Sequence, residues 1–125
     1  MAILDTLFNR FGKPEINLDT KGSFVSFTGK RLGFLIRDSV YTYKGTHIGW
    51  FENGVLRDPW GNVVGFGDNP NDYPMPLLPF KQFKPLASFP GLEPLRPVTS
   101  IPPIKPLKSF NWSVATPLAL FWGNQ

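Results

Sequence analysis

Val40-Tyr41-Thr42-Tyr43-Lys44-Gly45-Thr46-His47-Ile48-Gly49-Trp50-Phe51 decides the fold. Val40 lies five places before Gly45 and Thr42 three places before it, so apolar and polar residues alternate with the period of a half-buried strand. Gly45 falls where a tight turn needs positive φ, and Ile48-Gly49-Trp50 starts a second short strand. The stretch reads as a β-hairpin.

Working outward, the unit recurs. Gly12, Gly29, Gly45 and Gly61 stand 17, 16 and 16 residues apart and align segments 7–18, 24–35, 40–51 and 56–67. The position five before each glycine is Leu7, Phe24, Val40 or Leu56, and the position three before it is Asn9, Ser26, Thr42 or Asp58. Leu32-Gly33-Phe34 and Val64-Gly65-Phe66 repeat the Gly-aromatic step, and Phe34, Trp50 and Phe66 read as equivalent core positions. Copy one departs, with Pro14 and Ile16 in place of the basic or aliphatic residue and the second glycine. Asp19-Thr20-Lys21-Gly22, Arg37-Asp38-Ser39 and Glu52-Asn53-Gly54 supply the joints. A lone hairpin is marginal in water, so the four are expected to pack around a pseudo-four-fold axis.

From Pro74 prolines dominate, and Leu77, Phe80, Phe83, Leu86, Phe89, Leu92, Leu95, Val98, Ile101, Ile104, Leu107 and Phe110 follow one another every third residue. Polyproline II has about three residues per turn, so this spacing predicts one apolar face, the candidate packing face of the tail. Fully extended, the segment would reach on the order of 100 Å, so it wraps, packs on copies of itself, or awaits a partner. The phase breaks at Asn111-Trp112-Ser113, and Leu118–Trp122 form a short apolar cap. Trp112 and Trp122 are candidate anchors of the tail.

Composition sets the class. The 125 residues include 14 prolines and 12 glycines, both above average usage, yet aromatics at 15% argue for order. With no cysteine, disulfides, thiolate metal sites and cysteine nucleophiles are excluded. A net charge of +4 favours acidic partners. Neither a secretory leader nor a run long enough to span a membrane is visible, so a cytoplasmic protein is the default expectation, with membership of a larger assembly left open.

The copies carrying Gly45–Gly54 and Arg57–Phe66, with Lys105-Pro106-Leu107-Lys108-Ser109-Phe110-Asn111-Trp112-Ser113, resemble the bacterial family called four-fold β-flower proteins. The resemblance implies a four-petal β-domain of bacterial or phage-related source. It brings no established activity and no catalytic residues.

The expected fold is therefore all-β: four consecutive hairpins in residues 1–70, an extended polyproline-II-like tail of triplets in 71–113, and an apolar cap in 114–125. His47, the single histidine, has no nameable partners for catalysis or metal binding, and no pair of carboxylates stands out. No catalytic residue, metal or cofactor is assigned. Tyr41, Tyr43, Trp50 and Trp60 are candidates for stacking on sugars or docking proline-rich segments. Lys81, Lys84, Arg96, Lys105 and Lys108 could meet a polyanion, nucleic acid included. The leading expectation is a non-enzymatic structural or interaction protein, assembled or stabilised through its packed tail, with itself as partner in a homo-oligomer or a tail-in-groove contact. A carbohydrate- or polyanion-binding module is the alternative.

Overall fold

A computed structural model describes residues 2–124. Eight strands form: β1 Ile3–Phe8, β2 Pro14–Asp19, β3 Ser23–Ser26, β4 Arg31–Ile36, β5 Ser39–Thr42, β6 His47–Glu52, β7 Val55–Arg57 and β8 Val63–Phe66. Each pairs antiparallel with its neighbour in sequence, and Phe8 against Phe66 joins β1 to β8, closing the barrel. Closure gives each strand a neighbour on both sides, with β1 and β8 meeting at this one pair, which is how four marginal hairpins become one stable body.

The four repeat turns share one geometry. Gly45 N donates to Thr42 O at 3.0 Å while Thr42 N donates to Thr46 O at 3.0 Å, with Gly45 at φ 85°. The equivalent bonds close the turns at Gly12, Gly29 and Gly61. This is a tight turn followed by a left-handed residue, so each turn forces a bulge. The polar residue three before each glycine is buried and not on a solvent face, because it caps this turn. Asn9 Oδ1 accepts from the amides of Phe11 and Lys13, and Asp58 Oδ1 accepts from those of Trp60 and Asn62.

Leu7, Phe24, Val40 and Leu56 are fully buried and meet Leu32, Ile48 and Val64 in the barrel interior. Phe34, Trp50 and Phe66 are buried too, but outside that central cluster. The glycine preceding each aromatic makes room for close neighbours. A Cβ on Gly33 would stand 2.7 Å from the Phe121 ring, and one on Gly65 2.7 Å from both Phe8 O and Pro117.

The expected ending of the chain is corrected here. It does not finish as an extended polyproline-II-like tail: Pro117–Trp122 form a short helix, α1. Thr116 caps it by accepting from Ala119 N, and Pro117 takes the first turn, where a missing N–H costs nothing. Leu120 and Phe121 enter the central cluster, with the Phe121 ring 5.3 Å from that of Phe24. Burial of two large side chains is what favours the helix over an extended course. With this correction goes the expectation of a protein assembled or stabilised through a packed polyproline-like tail, because the terminal region is a helix docked in the barrel.

Candidate docking surface

Residues 74–110 carry no helix or strand and run around the barrel past all four repeat turns. Gln82, Gly91, Ser100 and Ser109 donate their backbone N–H to the carbonyls of Gly12, Gly29, Gly45 and Gly61, at 2.8, 3.0, 3.0 and 3.2 Å. These donors stand nine residues apart. Pro79, Pro85, Pro94, Pro97, Pro103 and Pro106 share their phase of the triplet, so along that phase prolines occupy sites between the contacts and N–H groups are kept where a carbonyl waits. That distinction was available in the sequence, but only to a reader who separated donors from prolines within one phase.

The charged phase of the triplet pairs with carboxylates and carbonyls along the barrel wall while staying partly in solvent. Lys84 pairs with Asp68 at 3.0 Å, Arg96 pairs with Glu93 at 3.1 Å and donates to Lys21 O, and Lys105 pairs with Asp38 and Glu52. Lys108 pairs with Asp72 and Glu52. Bonds to Asp38 and Glu52 hold the Lys105 ammonium above the ordinary lysine range. Lys81 and Lys84 also lie over the Phe8 ring and Arg96 over the Phe34 ring, so these cations cover aromatics on the barrel wall.

The apolar phase faces solvent. Leu77, Phe80, Phe83, Leu86, Phe89, Leu92, Leu95, Val98, Ile101, Ile104 and Leu107 are each 91–101% exposed, and Phe110 is 69% exposed. None of these eleven is spent on packing against the barrel. At roughly 100 Å² apiece they present on the order of 1,000 Å² of apolar surface in total, distributed along the segment around the barrel.

Of the four aromatic binding candidates, Tyr41 and Trp50 are buried and Tyr43 is half-buried. Tyr41 donates its hydroxyl to Ser100 O at 3.0 Å and Tyr43 donates to Glu93 at 2.7 Å. Burial, the hydrogen bond from Ser23 notwithstanding, pushes the Tyr43 phenol up to about 12. Trp60 is exposed and lines a shallow cavity of about 380 Å³ with Trp112, Asn62 and Asn124. Trp112 lies beside Val63, whose amide donates to Asn111 O while its carbonyl accepts from Ser113 N. Trp122 is half exposed on α1. His47 is wedged edge-on between Tyr41 and Trp50, with Nε2 buried and unpartnered, and burial lowers its basicity.

Signal for a second surface was missed. The repeat turns carry Arg10, Lys13, Lys30 and Lys44, all exposed, and among the described residues none of them forms an ion pair. Phe11 is exposed beside Arg10 and Lys13 on the first turn, and Trp60 is exposed on the fourth, which carries none of these cations. The outer segment passes these turns closely, with the carbonyls of Phe80, Phe89, Val98 and Leu107 facing Gly12, Gly29, Gly45 and Gly61.

Eight strands closed from four repeated hairpins define a four-petal β-barrel. The family model described as 4-fold beta flower protein matches residues 5–121, and the chain belongs to that family. No curated protein and no solved structure matches it. Among the described residues no helix is long and apolar enough to cross a membrane.

Proposed function

We propose that the protein works by binding and not by catalysis, attaching to an apolar surface through the outward row from Leu77 to Leu107. One observation carries this reading: eleven apolar side chains, each at least nine-tenths exposed, follow one another around the barrel on a backbone fixed to its turns. Water contact with so much apolar surface is unfavourable, and covering it is worth about 25 cal/mol per Å² before the cost of association. Fixing the row in advance lowers that cost.

A variant with Phe80, Phe83, Leu86 and Phe89 replaced by serine tests it. These side chains touch solvent, so the fold is retained and thermal unfolding is unchanged. The wild-type protein is retained on a hydrophobic-interaction column, while the variant elutes early. Equal retention of the two proteins overturns the reading.

A further inference from the structure

We propose that the surface this row attaches to is an anionic lipid headgroup layer, contacted by the basic repeat turns together with the apolar side chains beside them. The assignment rests on the docking reading just given and names its partner.

Charge chooses among the occupants. Lys84, Arg96, Lys105 and Lys108 of the outer segment have their charge offset by Asp38, Glu52, Asp68, Asp72 and Glu93, and Lys81 donates to the Asp68 carbonyl. Arg10, Lys13, Lys30 and Lys44 stay exposed on three of the four turns. The nearby carboxylates point elsewhere: Glu15 accepts from Asn9 and from Leu118 N, and Asp58 is buried in its own turn. The rim is thus apolar and positive at once. A second copy would bring the same cations face to face, which is repulsive, whereas an anionic surface neutralises them at about 1 kcal/mol each.

Shape points the same way. The row visits every petal, so a rigid protein would need a concave socket complementary to all of them. A fluid headgroup layer conforms without one. Trp60 is of a type enriched at the headgroup level of membranes, and Phe11 adds an exposed apolar ring of the kind interfacial surfaces carry. Depth is limited by the backbone. The N–H groups of the outer segment that are not bonded to the barrel need water or headgroups, so the row lies in the interface and does not enter the hydrocarbon.

The test is flotation of the intact protein with two kinds of vesicle, phosphatidylcholine alone and phosphatidylcholine with about one-third phosphatidylserine. The protein should float with the anionic vesicles and much less with the neutral ones, and added salt should reduce the bound fraction. Replacing Lys13, Lys30 and Lys44 by glutamate should cut binding to anionic vesicles at least ~tenfold, with thermal unfolding unchanged. The serine variant of the row should bind neither vesicle. Equal flotation with both vesicles, or an unaltered glutamate variant, overturns the proposal. Retention on the hydrophobic column with no flotation overturns it also, while leaving the docking reading intact; loss of both sinks the two together.

Discussion

Arg57 donates from Nε to Asp72 Oδ2 at 3.1 Å, with both side chains almost wholly buried. The same guanidinium donates to Gly61 O at 2.8 Å, Ser109 O at 3.0 Å, Asp72 O at 2.8 Å and Pro74 O. One side chain on β7 therefore ties a repeat turn, the linker after β8 and the outer segment together. Its five donors are matched by acceptors, the condition under which a buried charge is tolerated.

Removing one partner leaves the other charge buried. Asp72→Ala should lower stability by about 3–5 kcal/mol, and Arg57→Met together with Asp72→Ala should cost less than the sum of the two singles. Urea denaturation of the four proteins of the cycle measures the coupling, and additive losses would contradict it.

Acid should act through the same pair. Burial works to raise the Asp72 carboxyl, but hydrogen bonds and charges from Lys108 and Arg57 outweigh it and hold the group below the ordinary carboxylate value. A depressed folded value stabilises the fold above the unfolded carboxylate pKa of about 3.9, and that contribution is lost as pH falls through the folded value. Thermal scans from neutral pH downward should show the loss beginning near that point. Asp72→Asn should flatten this part of the curve.

Gly45 and Gly91 separate two roles of glycine. Gly45 has φ 85°, and a Cβ there would stand 2.6 Å from Val98 O, so Gly45→Ala should cost more than about 1 kcal/mol. A Cβ on Gly91 would meet nothing closer than 4.0 Å, and Gly91→Ala should be neutral to within about 0.5 kcal/mol. Melting temperatures of the pair provide the comparison.

α1 offers a similar contrast. Phe121 is fully buried in the central cluster, and Phe121→Ala should destabilise by about 3–5 kcal/mol. Its neighbour Trp122 is 54% exposed, so Trp122→Ala should cost far less. Comparable losses from the two substitutions would mean that α1 does not fill the barrel as described.

The hairpins were legible because Leu7, Phe24, Val40 and Leu56 obey the two-residue period that burial of one face imposes. Asn9, Ser26, Thr42 and Asp58 gave the same alternation for another reason, since they are buried caps of turns. The helix at Pro117–Trp122 was hidden: six residues are too few for a helical period to emerge, and its stability comes from Leu120 and Phe121 meeting distant strands. Three-residue spacing showed that Leu77 to Phe110 share a face but not which way that face points. Orientation is set by Gln82, Gly91, Ser100 and Ser109 bonding to glycine carbonyls dozens of residues away. For the binding candidates, aromatic type alone did not separate Tyr41 and Trp50, which strand alternation and bulges bury, from Trp60 at a turn apex.

The donors at Gln82, Gly91, Ser100 and Ser109 advance nine residues while the glycines they meet advance 17, 16 and 16. Barrel and outer segment are therefore geared petal by petal, nine residues of the segment to each. A petal gained or lost by duplication or deletion must be matched by nine residues elsewhere in the chain, some tens of positions downstream. Lineages of this fold can change petal number only through two coordinated length changes, whereas insertions in the joints between petals leave the gearing untouched.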